Sequence, residues 1–197
     1  MYVVRKDVVK VTAKTLERII SSNDVKISLA NLRRGVNRNP GEIPQILNEF
    51  LRDMPEAMYG VSGQISHAEW AIYIALTLYA THQQGNDLKK ERMYSKGEDY
   101  WFGSAVAQLA KDEDDFRRVL RRINIVLTSN SLVELRRHIF SLVQLLRVKK
   151  IPLDYANLAG DIYSYQNIES RNYVRLKWGR DFYRTYDRNH KKNGEVE

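Results

Sequence analysis

Residues 114–148, DDFRRVLRRINIVLTSNSLVELRRHIFSLVQLLRV, read as two amphipathic helices joined by a polar turn. At about 100° per residue from Arg117, Arg121 falls near 40°, Arg118 near 100° and Arg122 near 140°. Phe116, Val119, Leu120, Ile123, Val126 and Leu127 all fall between about 180° and 300°. The spacing predicts a helix over 114–127 with an apolar half and an arginine half, Ile125 being the exception on the basic side. Ser131 followed by Glu134 is a capping box that opens a second helix over 132–148. Only the polar TSN at 128–130 separates the two, so they run antiparallel as neighbours. Arg121 and Arg122 lie about as far before that turn as Arg136 and Arg137 lie after it. At ~1.5 Å per residue both pairs reach a similar height and can merge into one basic patch. Arg137 shares its side with Ser141 and Gln144. Arg136 points between Val133 and Phe140, where it can instead snorkel or pair within the core.

The acids at 112–115, DEDD, occupy the first turn of the arginine helix, where they favour the helix dipole. Four consecutive carboxylates on one turn cannot converge on a metal pair. Local pairs of Asp114 or Asp115 with Arg118 support a competing reading, in which the doublets are a solvated and compensated face. Against it, no glutamate is interleaved within the doublets, although same-sign i,i+4 neighbours repel by roughly a few tenths of a kcal/mol.

Outward from this hairpin, proline and glycine are sparse, four and ten in 197 residues, so long helices are allowed almost everywhere. Further helices are predicted near 13–21, 24–35, 43–54, 66–83, 102–110, 154–166 and 169–186. Residues Tyr2, Val4, Val9 and Val11 alternate enough to make a short strand possible before them. Loops fall at Gly35–Gly41, at Pro55–Gly63 and at the mostly basic Gly85–Tyr100, a length that is usually mobile or functional. The fold class is all-α, with about nine helices in two small packed bundles. An extension over 1–12 precedes an N-terminal helical part over 13–110 and a C-terminal one over 111–186. Residues 187–197, DRNHKKNGEVE, are expected to be a disordered tail.

The charges narrow the function. Lys and Arg number 32 against 24 Asp and Glu, giving +8 and a pI near 9.6. That balance points to a polyanionic partner. No cysteine is present, which excludes thiolate metal sites and fits a cytoplasmic location, and the opening MYVVRKDVVK has no signal-peptide core. The run WAIYIALTLYA at 70–80 is too short for a membrane and reads as a buried core helix. The histidines at 67, 82, 138 and 190 lack ligand spacing, so no metal and no cofactor are expected. His82 reads as a helix-end or packing residue, Asp154 as an N-cap, Asp181 as a surface partner of Arg180, and Trp178, Phe182 and Tyr186 as a core stripe. No nucleophile–base pair or nucleotide-binding loop is visible. A helix-turn-helix regulator remains the alternative, because AVAQLAKDEDDFRRVLRR has that motif's small-apolar, turn, helix pattern. Its leading helix end would present Asp112–Asp115 to DNA, which disfavours it. A nuclease ranks below both.

NLRRG (31–35), HAEWAIYIALTLYATHQQG (67–85), FGSAVAQLA (102–110), VELRRHIFSLVQLLRVKKIPLDYANLAGDIYSYQ (133–166) and VRLKWGRDFYR (174–184) follow one another in order. This series resembles the CasB family, the small subunit of the type I-E CRISPR effector complex Cascade, over roughly residues 25–186. The resemblance implies an all-helical, non-catalytic subunit that works through backbone contacts. Its implied partners are guide RNA, the target and displaced DNA strands, other Cascade subunits and a second copy of itself, with no membrane. Carried over by position, nucleic-acid contact falls on Arg33 and Arg34 and on the doublets Arg117, Arg118, Arg121, Arg122, Arg136 and Arg137. Such complexes read sequence by base pairing, so the protein needs arginines that reach phosphates and no base-reading code.

Overall fold

The run at 70–80 lies inside the most enclosed helix of the molecule. The computed structural model describes residues 3–194, and side chains as far as His190. In chain order the helices are α1 (Arg5–Ile20), α2 (Val25–Arg34), α3 (Pro44–Leu51), α4 (His67–His82), α5 (Phe102–Ala107), α6 (Glu113–Thr128), α7 (Leu132–Lys149), α8 (Tyr155–Tyr165) and α9 (Ile168–Gly194). Short 3-10 turns at Glu56–Met58 and Glu98–Tyr100 complete the set. The chain is all-α, as its periodicity predicts.

Every residue of α4 from Ala71 to His82 is buried. A helix that is apolar all round must be covered all round. Here α1, α2, α7 and α8 supply the cover. Its start is fixed by the Ser66 side chain, which accepts the Glu69 N–H at 3.0 Å while the Glu69 carboxylate accepts the Ser66 N–H at 2.7 Å. Asp154 likewise caps α8 by accepting the Asn157 N–H at 2.9 Å. At the far end of α4, His82 is buried with Nδ1 2.8 Å from the Tyr155 hydroxyl. Burial pushes its imidazole down to about 4.

The strand expected near the N-terminus is instead the first half of α1. The Asp7 carboxylate accepts the Val4 N–H at 3.1 Å, and Val8, Thr12, Thr15, Leu16 and Ile19 form one buried stripe. Helical spacing through two threonines outweighs the local alternation of Val9 and Val11, and Thr12 returns its hydroxyl to the Val8 carbonyl at 2.7 Å. Residues 3–12 are thus part of the packed body, with α1 lying along α8; Tyr2 lies outside the described residues.

A second correction concerns the end of the chain. Composition predicts a disordered tail from 187, but α9 runs through to Gly194; residues 195–197 lie outside the described residues. Extending a formed helix costs little per residue, and Arg188 ties this part back to Asp99 at 2.5 Å. The basic loop at 85–100 is likewise anchored: Leu153 N–H donates to the Met93 carbonyl at 3.1 Å and Asp154 N–H to that of Tyr100 at 2.7 Å. Two of its four cations are paired, Arg92 with Glu17 at 2.9 Å and Lys96 with the same carboxylate at 3.3 Å.

Helix α9 closes the structure against α5, α6 and α8, and its Val174, Trp178 and Phe182 are buried. Gly103 makes the approach of α5 possible, since a Cβ there would lie 2.2 Å from the Trp178 carbonyl oxygen. One buried carboxylate ties three helices together. Asp161 of α8 accepts from Arg5 of α1 at 2.8 Å, and from Lys177 and the Trp178 indole of α9 at 2.7 and 2.8 Å. Asp181, expected at the surface beside Arg180, is instead buried, 3.0 Å from Arg184 and 3.8 Å from Lys177. Position i+3 or i+4 on a helix, not i−1, brings side chains together.

Candidate nucleic-acid interface

Helix α6 sorts its arginines into two kinds. Asp112 accepts the Asp115 N–H at 2.7 Å and starts the helix. Within the first turns Glu113 takes Arg117 at 2.9 Å and Asp115 takes Arg118 at 2.6 Å. The Arg118 hydrogen bond holds the Asp115 carboxyl below the usual carboxylate range, and the same bond raises Arg118. The compensated face expected as the competing reading therefore describes the first doublet.

The second doublet is different. Arg121 and Arg122 are exposed, and neither has a carboxylate partner among the described residues. Arg121 directs Nε to the Arg117 carbonyl at 3.2 Å, which orients the guanidinium without neutralising it. Arg122 borders a small groove between α6 and α7, with Arg118 and Lys149 as the other cations, Asp115 as its one acid and Leu109, Val119, Leu145 and Val148 as its apolar lining. Lys149 is a basic lining residue of this groove that the sequence pattern does not single out. It sits near the end of α7, far from the hairpin turn, where no doublet pattern marks it.

The expected merging of both hairpin ends into one patch does not hold for Arg136. Its Nη1 donates to the Arg38 carbonyl at 2.7 Å and its guanidinium carbon lies 5.7 Å from the centre of the Trp70 ring. Burial pushes that guanidinium below its ordinary value. Its position between Val133 and Phe140 turns it toward α4 and the loop after α2, which is the pairing alternative raised from the sequence. Arg137, one position on, is exposed with no ion pair among the described residues. The neighbouring Glu134 carboxyl is held low first by the Asn130 N–H and then by Ser131 N–H, Arg137 and His138.

Arg33 and Arg34 end α2, which packs chiefly on α4, whereas α6 packs chiefly on α7. Arg34 is exposed, and Arg33 is half-buried beside Leu29 in a cleft closed by residues 83–89. The two sets of arginines thus sit on separate helix pairs. Among the described residues no cluster of His, Asp and Glu could hold a metal ion, and no helix is long and apolar enough to cross a membrane.

Fold and charges together define an all-α protein whose uncompensated guanidiniums stand on helix faces, with a buried, ion-paired frame behind them. The family model of CRISPR-associated protein Cse2 (CRISPR_cse2) matches residues 28–183, and the chain belongs to that family. CasB from Thermobifida fusca is 28% identical and superposes with a TM-score of 0.68, over 90% of this chain and 96% of that one. CasB from M. ruber is 23% identical with a TM-score of 0.69, over 93% and 97%. A chain of a CRISPR RNA-guided surveillance complex is 19% identical with a TM-score of 0.72, over 94% and 99%. The latter two likenesses bear on the fold alone. No curated protein matches the chain.

Proposed function

We propose that this chain is the small subunit of a type I-E Cascade complex and that it holds guide RNA, the target heteroduplex and the displaced DNA strand through sequence-independent phosphate contacts. The observation that carries the reading is the contrast along α6: Arg117 and Arg118 are spent on Glu113 and Asp115, while Arg121 and Arg122 are left exposed and unspent. Uncompensated arginines of this kind suit bidentate contact with phosphates. Arg122 has Lys149 beside it, and Arg137 and Arg34 extend the same chemistry to α7 and α2. Arg136 and Arg33 have a smaller part, since each is half-buried. Membership of the Cse2 family and the likeness to a surveillance-complex chain support the assembly side: other Cascade subunits, and a second copy, as partners in the cytoplasm.

The reading is non-catalytic, with no cofactor. Labelled DNA and RNA incubated with the protein and Mg²⁺ or Mn²⁺ are expected to stay intact; cleavage that survives repurification and vanishes in a carboxylate variant overturns this. Titration of the full-length chain against unrelated sequences is expected to give matching, salt-sensitive affinities. A tenfold preference for one sequence would instead revive the helix-turn-helix alternative, whose leading helix end here carries the exposed Asp112, Glu113 and Asp114.

A further inference from the structure

The arginine helix has a flank that borders α9 rather than α7. The two helices run antiparallel: Phe116 packs on Tyr186 with ring centres 4.1 Å apart, and Leu127 lies beside Gly179. Beside Leu127, a groove of ≈ 860 Å³ opens to solvent along the outer face of α9. Its α9 wall is a stripe of Tyr173, Leu176, Arg180 and Tyr183, at i, i+3, i+7 and i+10 and so within an arc of about 80°. Tyr173 is 64% exposed, Leu176 50% and Tyr183 49%, and Arg180 is exposed as well. The aromatic content of α9 is thus divided between two faces. One face, with Trp178 and Phe182, is consumed by the core; the other faces outward and has no covering element among the described residues. A contiguous exposed patch of this kind marks a binding surface.

The charges around it indicate what it binds. Lys177 is turned inward to Asp161, Arg184 to Asp181, and Arg175 to the Ser129 carbonyl. Arg180 is left without a carboxylate partner among the described residues, in the middle of the stripe. Tyr183 is held edge-on by Phe182 at 5.5 Å and Phe116 at 6.2 Å, so its ring is fixed before any ligand arrives. A fixed ring avoids the ordering cost that binding otherwise imposes.

We propose that this groove is a stacking platform for unpaired bases, with a single-stranded nucleic acid lying along α9, bases on Tyr173 and Tyr183, and an intervening phosphate on Arg180. It rests on the nucleic-acid reading above and adds a preference for strandedness. Ten residues of helix separate the tyrosines by ~15 Å, about four steps of a stacked strand at ~3.4 Å each. A duplex keeps its bases stacked on one another and gains nothing from the rings; a single strand gains from every base it sets down, whatever its identity.

The test uses the full-length chain, a labelled poly-dT oligonucleotide and a duplex of equal length. Replacing both tyrosines (Y173A with Y183A) is expected to weaken single-strand binding by roughly fivefold or more per tyrosine. Duplex binding should stay at the parental value, and the paired Tyr→Phe variant should bind like the parent. Should the alanine variant fail to fold, the parent decides the matter. Photo-cross-linking to an oligonucleotide carrying 5-iodouracil is then expected to mark Tyr173 and Tyr183, and adducts confined to other residues overturn the platform. Equal losses on single strand and duplex, or none on either, also overturn it. So does normal oligonucleotide binding combined with failed co-purification of other subunits, which makes the groove a protein-docking surface. A parent that binds neither oligonucleotide removes the nucleic-acid reading itself. Loss confined to R121A/R122A keeps that reading and removes only the platform.

Discussion

Replacing Arg121 and Arg122 together by alanine tests the division of labour on α6. Each phosphate contact contributes roughly 0.7–0.9 to the log–log dependence of affinity on salt, the lower value for single strands. If each arginine neutralises one phosphate, the double variant should show a slope flatter by about 1.4–1.8. Between 50 and 200 mM salt the parent would then lose about 7–12-fold more affinity than the variant does. The paired doublet supplies the internal control. Arg117 and Arg118 already face Glu113 and Asp115, so removing them should change the slope less. Folding should hardly respond in the 121/122 variant, because exposed substitutions usually stay within about 0.5 kcal/mol. Relief of the Arg117–Arg121 and Arg118–Arg122 repulsions works in the same direction. Fluorescence anisotropy across a salt series reads the slope, and a thermal melt reads the fold. A slope equal to the parent's, or one that flattens as much for the 117/118 variant, refutes the distinction between spent and unspent arginines.

Three further outcomes concern the frame behind that surface. Gly103→Ala should destabilise by about 1–3 kcal/mol in urea, because its Cβ would press 2.2 Å from the Trp178 carbonyl and force α5 off α9; an unchanged midpoint refutes this close approach. Asp161→Asn should cost about 3–5 kcal/mol by leaving Arg5 and Lys177 without their shared carboxylate, and a variant as stable as the parent would show the cluster to be dispensable. His82 stays neutral in the fold down to about 4 but takes up a proton near 6.5 when unfolded. The unfolded chain binds more protons between those values, so stability should fall as pH drops from 7 toward 4, by up to about 3 kcal/mol from this group. Urea midpoints across that range should fall more steeply for the parent than for His82→Gln, and parallel curves refute the assignment.

Much of the architecture is legible from local pattern. The apolar run of α4, the Ser131–Glu134 box and the Asp154 cap each follow from residues a few positions apart. The N-terminal helix escaped because its buried stripe contains Thr12 and Thr15, which hydropathy counts as polar, while Val9 and Val11 imitate a strand. The last turns of α9 escaped for another reason: their composition is that of a solvated tail, and the Asp99 that meets Arg188 lies 89 positions away. The same separation in sequence hid the fate of Arg136. Its place on the helical wheel announces an inward turn, but its acceptor is a main-chain carbonyl, which no side-chain pattern encodes. On α6 the doublets stand out at once, and only the geometry reveals that the DEDD turn reaches the first pair and stops short of the second. The α9 stripe is readable as a spacing, yet Trp178 and Tyr173 look equally like core until the packing chooses between them.

The Asp161 carboxylate joins Arg5 of α1 to Lys177 and Trp178 of α9. Arg5 lies 156 positions from Asp161, whereas Lys177 lies only 16 from it. Until α9 docks, a buried acid and the slot at Gly103 stay open to water. Closure of the fold thus depends on α9, and contacts as distant in sequence as that of Arg5 with Asp161 form slowly. Synthesis that stops before α9 leaves a product with unmatched ionic groups and an uncovered apolar face, the kind of species that chaperones and proteases engage. Docking of α9 is therefore the step that seals both the ionic centre and the apolar face behind it.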